Sequence, residues 1–324
     1  MFGELLSLLV AVSFTVTALF AEVGSKRMGS LPFNAVRMSM SLIFLALALW
    51  LMLGVPWPRY ADGETWFWLL LSGLVGYVIG DYCLMRGYIL IGSRFGQLFM
   101  TLSAPTAAVL GRLFIGEQMR PLALVGMVVT LSGIAMSVLS RREGGGAGLK
   151  LRISPRSVLI AAMAGICQGA GLVLSKIGME HYYASLATQG IADTTVPAEA
   201  LLRLPLSISI PFASTMIRGL MGLAGFLLLI ALFSKEGLAQ LRRAVGDRKA
   251  VASAFASMFF GPFIGVSLSL MATHYTSTGI AQTLFALTPV LIIAPSALLF
   301  HQKVTPREVI GAMVSVAGAS MFFL

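Results

Sequence analysis

Apolar residues run along this chain in unbroken stretches, and polar residues gather in the short gaps between them. The stretches do not alternate as the strands of a membrane barrel do. Each is about 20 residues long, enough for one helix to cross a bilayer. In lipid a backbone must satisfy its own N–H and C=O groups, which a helix does within the segment. The pattern predicts an all-α integral membrane protein with ten transmembrane helices, at about 4–23, 33–53, 66–85, 91–115, 121–140, 157–175, 212–233, 251–272, 278–299 and 306–324.

The pattern is also said twice. Gly76, Gly80, Gln97, Gly126 and Gly133 recur as Gly261, Gly265, Gln282, Gly311 and Gly318, each 185 residues on. Pro105 and Gln118 recur as Pro289 and Gln302 at an offset of 184, a slip that one-residue gaps produce. Ser25-Lys26 closes the first span and Ser175-Lys176 the sixth. Pro32-Phe33 precedes Arg37 much as Pro211-Phe212 precedes Arg218. Five helices per half is an odd number, so the second half enters the membrane from the opposite side. The prediction is two inverted five-helix repeats, the plan of many secondary transporters. The boundaries read 1–142 for the first repeat, 143–156 for a glycine-rich linker and 157–324 for the second. An insertion near 180–210 reads as a surface hairpin, as an interfacial helix at Ala198–Leu204, or as a lid over a pathway.

Charge refines the picture. The chain is 57% hydrophobic and 11% charged, against about 25% charged in a soluble domain. Its net charge of +10 would point to nucleic acid in a soluble protein. Here the basic residues fall in loops, where they face anionic lipid and set orientation. Odd-numbered loops hold 16 Lys and Arg, even-numbered loops 4. That bias puts the odd loops in the cytoplasm and both termini outside, in what reads as a bacterial cytoplasmic membrane. The expected partners are a small-molecule solute and membrane lipid, with no nucleic acid and a homodimer left open. The first span lacks a basic start and reads as a retained helix rather than a signal peptide. Cys83 and Cys167 both lie in apolar runs and give neither a disulfide framework nor a metal site.

A few polar residues inside apolar runs carry the candidate chemistry. Asp81 lies within span three, where a carboxylate is costly unless paired or hydrated. It reads either as an ion pair with Arg37 or Arg86, or as a proton- or cation-coupling group. Gln97 and Gln282 are repeat-equivalent amides, and Gln168 is a third; amides in a span bridge helices or meet a polar solute. Tyr77, Tyr82 and Tyr88 line the same cavity or pack as aromatics. Pro105 and Pro289 read as mid-span kinks, static or hinging. The Gly76/Gly80 and Gly261/Gly265 pairs put two glycines on one face, for close helix packing or for a gap facing solute. Glu117 reads as a cap for the fifth span or as a gating group. His274 reads as an interface residue. Trp50, Trp57, Trp66 and Trp68 read as interfacial aromatics. No nucleophile elbow, zinc-protease motif, phosphate loop or Cys/His cluster occurs, so neither an enzyme nor a cofactor is expected.

Taken in order, Gly80-Asp81, Ala104-Pro105, Ile115-Gly116-Glu117, Gly126 and Gly133 form a series. Gly261-Pro262, Leu287-Thr288-Pro289, Gly311 and Gly318 repeat it. With that series the chain resembles the EamA-like, ten-helix branch of the drug/metabolite transporter superfamily. The resemblance implies an exporter or exchanger that works by alternating access on a small metabolite, amino-acid-like or drug-like solute. A scaffold or lipid scramblase is the alternative. Two features depart from the family pattern. His301 stands where the second repeat would carry a counterpart of Glu117. The family's usual cytoplasmic termini also disagree with the loop count.

Overall fold

The computed structural model describes residues 1–139, 154–233, 237–291 and 306–323. Most of the linker, together with His301, Gln302 and Lys303, lies outside the described residues. Among the described residues every regular element is helical. In chain order these are α1 (Phe2–Met28), α2 (Ser30–Leu53), α3 (Gly63–Gly73), a π-helical segment π1 (Leu74–Asp81), α4 (Tyr82–Met100), α5 (Ser103–Phe114) and α6 (Pro121–Leu139). Then follow α7 (Pro155–Thr188), α8 (Leu206–Phe233), α9 (Gly237–Gly246), α10 (Arg248–Met258), π2 (Phe259–Phe263), α11 (Ile264–Tyr275), α12 (Thr278–Phe285), α13 (Thr288–Leu291) and α14 (Pro306–Ser320). Among the described residues six helical stretches are long and apolar enough to cross a bilayer: Phe2–Met28, Ser30–Leu53, Gly63–Ser93, Pro155–Thr188, Leu206–Phe233 and Arg248–Tyr275.

Local chemistry sets the ends. Gly54 closes α2 in the left-handed conformation, its N–H on the Trp50 carbonyl. Asp62 caps α3 by accepting from the Thr65 N–H at 2.8 Å. Ser154 caps α7 with Pro155 in the first turn, where its missing N–H costs nothing.

The helices pair across the repeat. α2 packs on α8, α5 on α12 and α6 on α14. α1 packs on α10 and α11, while α3, π1 and α4 pack on α7. In the repeat α1 matches α7, α2 matches α8 and α6 matches α14, while α3, π1 and the start of α4 match α10, π2 and α11. These pairings therefore map onto themselves or one another, and α5 on α12 maps onto α13 on α4, also in contact, as a two-fold relation between the halves requires. The repeated glycines make the closest contacts. A Cβ on Gly133 would lie 2.5 Å from the Ser315 nitrogen and 2.7 Å from the Gly311 oxygen, and one on Gly126 would lie 2.9 Å from the Gly318 oxygen. A Cβ on Gly171 of α7 would lie 2.9 Å from the Cα of Gly76. The packing reading of the glycine pairs therefore holds: Gly76 and Gly80 meet α7, and Gly261 and Gly265 meet α1.

Three expectations need correction. The sixth span does not stop near 175, because α7 continues to Thr188 and takes up the start of the expected insertion. Ala198–Leu204 forms no interfacial helix; the Leu202 N–H bonds the Leu51 carbonyl at 2.8 Å and Arg59 pairs with Glu199 at 3.2 Å, so the segment is docked on the end of α2. Pro105 and Pro289 do not kink continuous helices. The chain is interrupted between α4 and α5 and between α12 and α13, and each proline stands in the first turn after the break. A proline N–H is not needed there.

Candidate solute site

Two kinds of helix irregularity meet at the centre of the molecule. π1 begins at Leu74 and π2 at Phe259, 185 residues apart. α4 ends at Met100 and α12 at Phe285, α5 begins at Ser103 and α13 at Thr288, each again 185 apart. Around the breaks the backbone tightens to three-residue turns. The Ser103 hydroxyl donates to the Met100 carbonyl at 2.6 Å, and the Thr288 hydroxyl to the Phe285 carbonyl at 2.8 Å. π-segments widen a helix by one residue per turn and recur at functional sites. Here they free carbonyls: the Gly76 oxygen in π1 accepts from Gln168 Nε2 at 3.1 Å.

A cavity of about 100 Å³ lies between these breaks. That is room for several ordered waters or one small anion, well below a drug-sized pocket. Its polar lining is Thr17, Arg37, Tyr77, Asp81, Tyr88, Gln97, Ser103, Gln168, Arg218, Ser269, Gln282 and Thr288. Its apolar lining includes Phe14, Leu84, Met85, Met100, Leu172, Val266 and Phe285. Asp81 accepts from Arg37 Nη2 on one oxygen and from Gln168 Nε2 at 2.7 Å on the other. The Arg37 and Asp81 side chains are 3% and 9% exposed. Gln97 Nε2 donates to the Tyr88 hydroxyl at 2.5 Å, and the Ser103 hydroxyl lies 3.2 Å from Gln282 Oε1. Arg218, from the middle of α8, is 3% exposed and lies with its Cζ 4.8 Å over the Tyr77 ring.

Of the candidates read from sequence, Asp81, Tyr77, Gln97, Gln168, Gln282 and Arg37 come together here. Four do not. Tyr82 turns away and packs with Ala35, Met38 and Tyr77. Pro105 and Pro289 shape the breaks without lining the cavity. Arg86 is exposed, and the partner of Asp81 is Arg37. Sequence reading missed Arg218, which the repeated Pro-Phe…Arg pattern already placed opposite Arg37.

Two further polar clusters sit beyond the cavity, at opposite ends of α1. At one, Glu117 pairs with Lys176 at 2.6 Å and accepts from the Thr278 N–H at 3.0 Å and its hydroxyl at 2.6 Å. Glu117 therefore caps α12 rather than the fifth span. Lys176 Nζ lies 3.4 Å from the Thr276 oxygen, and Thr276 in turn bonds Glu4 at 3.0 Å, which fixes this cluster at the start of α1. At the other end Glu22 pairs with Lys26 at 2.5 Å and accepts from the N–H of Ser93 at 3.1 Å and from its hydroxyl. Ser93 and Thr278 are 185 residues apart. A second hollow, lined by Lys176, Glu180, Tyr183, Asp193 and His274 among others, adjoins the Glu117 cluster. His274 stacks on Tyr183 there, ring centroids 4.6 Å apart.

A helical bundle of membrane-spanning length, with interrupted helices around a polar central cavity, defines an integral membrane transport fold. The family model described as "EamA-like transporter family" matches residues 1–139 and again 202–324. The chain belongs to that family, whose members are membrane transporters of small solutes. It is also similar to a protein of known crystal structure at a TM-score of 0.64 and 15% identity, over 99% of this chain and 96% of that one, a likeness that shows the fold. No curated protein matches the chain.

Proposed function

We propose that the protein is a secondary active transporter that moves a small amphipathic solute through the central cavity by alternating access. The observation that carries this reading is that repeat-equivalent groups, Gln97 and Gln282, Ser103 and Thr288, line one cavity where both halves interrupt their helices. Ten spans in two inverted halves fit this pairing. The positive-inside count orients the Glu22 end of α1 to the cytoplasm and both termini outward. No phosphate loop occurs in the sequence, so an ion gradient or solute exchange drives the cycle.

The two glutamate clusters act as latches in this reading. Each clamps the N-terminus of an interrupted helix: Glu117 at the start of α12, and Glu22 at Ser93, where α4 restarts after the positive-φ Gly92 breaks it. The outer latch is the better sealed: Lys176 and Glu117 are 16% and 11% exposed, Lys26 and Glu22 49% and 27%. The described conformation is thus one closed toward the outside. The segment after α7 contributes Ile191, Ala192 and Asp193 to the hollow above the outer latch, which suits a lid.

Purified protein in proteoliposomes tests the proposal. Solute counterflow from a labelled metabolite panel, sensitive to an imposed pH or ion gradient and independent of nucleotide, is the expected result. Movement of labelled phospholipid between leaflets with no solute flux would instead favour a scramblase and end the carrier reading.

A further inference from the structure

The central cavity carries one more positive charge than it neutralises. Among the described residues its charged lining is Arg37, Asp81 and Arg218, two cations and one anion. Arg37 and Asp81 neutralise each other, and Gln168 takes the second carboxylate oxygen. Arg218 is left over. Among the described residues, Nε and Nη1 of Arg218 are buried without any hydrogen-bond partner, and the Tyr77 hydroxyl beside it is likewise unpartnered. The Tyr77 ring face receives the guanidinium but satisfies none of its in-plane N–H donors. An unpaired guanidinium at mid-bilayer depth is among the costlier groups a membrane protein can hold.

The repeat explains how the vacancy arose. Arg37 stands five residues after Pro32-Phe33 begins on α2 and Arg218 seven after Pro211-Phe212 begins on α8, two helices that pack together. The offset of 185 carries Asp81 onto Val266. Val266 lines the same cavity. The first half supplies its arginine with a carboxylate; the second half offers a valine, and the carboxylate is absent. We propose that this cavity is an anion site in which Arg218 and the Tyr77 hydroxyl take the carboxylate of the transported solute. The apolar lining of Phe14, Leu172, Val266 and Phe285 receives the solute's body. An organic carboxylate with a small aliphatic or aromatic body is the class this arrangement fits, since a guanidinium fork binds a carboxylate with two parallel N–H donors.

The assignment rests on the transport reading for its role but not for its binding, and two measurements keep them apart. The first is thermal stability of the purified protein against matched acids and amides: isobutyrate and isobutyramide, phenylacetate and phenylacetamide, with dihexanoyl phosphatidate as the lipid-derived anion. At least one carboxylate raises the melting temperature while its amide does not. Arg218→Gln and, independently, Val266→Asp each abolish that shift, the second by restoring the carboxylate the repeat lost without removing the arginine. Amides that stabilise as well as the acids, a shift produced by phosphatidate alone, no shift with any probe, or a carboxylate shift that survives in both variants would each overturn the assignment. The second is proteoliposome counterflow of the same acids and amides. Flux of amides without acids sinks the anion site and leaves a carrier. Carboxylate binding with no flux of any solute keeps the site and sinks the carrier. Arg218→Gln gives up the stacking of the guanidinium on the Tyr77 ring, so its melting temperature without ligand is read first, and a ligand shift lost at an unchanged baseline is not a folding artefact.

Discussion

Arg37 and Asp81 illustrate what a buried charge does when its complement is present. Both are desolvated; Asp81 accepts from Arg37 and from Gln168, while Arg37 keeps a buried Nε without a hydrogen-bond partner among the described residues. Removing one member of such a pair strands the other and costs about 3–5 kcal/mol, whereas replacing both by apolar residues is often neutral or stabilising. Arg37→Met and Asp81→Leu are therefore each expected to destabilise by about that amount, and the double variant to recover most of it. Denaturant unfolding in mild detergent checks this; additive losses would mean the pair is not coupled. The ion pair is sufficient to account for Asp81 in its span. Most of this cluster was legible in the sequence because a polar group in an apolar run must have a reason to be there. Arg218 was not, because the orientation rule absorbs any arginine near an expected span end. α8 begins at Leu206, six residues before the span expected at 212, and this puts Arg218 well inside the helix. Arg86 was misread because it lies near Asp81 in sequence, while the exposed face it occupies is set by the π-segment just before it.

At the scale of elements, the glycines and prolines were read by type correctly and by mechanism only in part. Gly126, Gly133, Gly311 and Gly318 bring α6 and α14 into backbone contact. Without water between lipid-facing helices, such close packing is a main source of association. Gly133→Val forces Cβ atoms into the Ser315 nitrogen and the Gly311 oxygen, so the helices must separate. A loss of about 1–3 kcal/mol is expected, the range for overpacking a tight contact. A cysteine pair placed across this interface would then cross-link more slowly than in wild type. Pro105 makes the contrasting case. A mid-helix proline would straighten on replacement by alanine, but a first-turn proline has no hydrogen bond to restore. Pro105→Ala is expected to leave stability within about 1 kcal/mol of wild type and solute flux unchanged. A gain of several kcal/mol would show that the break at 100–103 is imposed by the proline. The break itself escapes sequence reading because its residues, Met100 to Ser103, have ordinary helical preference. Only the hydroxyls of Ser103 and Thr288, which cap the interrupted carbonyls, hint at it.

At the scale of the whole molecule, the two glutamate clusters stand at opposite ends of α1 with a cavity between them that both repeats line. Glu4 and Glu22 are 18 residues apart on α1, and at 1.5 Å per residue the two clusters stand about 27 Å from each other along that helix. That approaches the thickness of the hydrocarbon core. The duplication was readable from glycine offsets alone. Which end is closed was not, because one sequence serves every state and only the packing of a given state distinguishes them. The latches make that distinction testable. If Glu117 holds the outer end shut by clamping α12, then Glu117→Gln removes the Lys176 pair while keeping an oxygen for the Thr278 N–H. The equilibrium then moves toward the outward-open form. Glu22→Gln should move it the other way, since a ligand or mutation shifts two states only through its differential effect on them. A reporter cysteine at Thr17, which lines the cavity, can be read in a background lacking Cys83 and Cys167. A membrane-impermeant maleimide added outside should modify it severalfold faster in Glu117→Gln than in the parent. In inside-out vesicles the same acceleration should follow Glu22→Gln. Acceleration on the same side by both variants would mean that the clusters are not opposed gates. Equal rates in all three proteins would mean that they are helix caps and nothing more. Opposed effects would tie the symmetry of the sequence to the direction in which the cavity opens, since Ser93 and Thr278, the residues the glutamates clamp, are one position written twice.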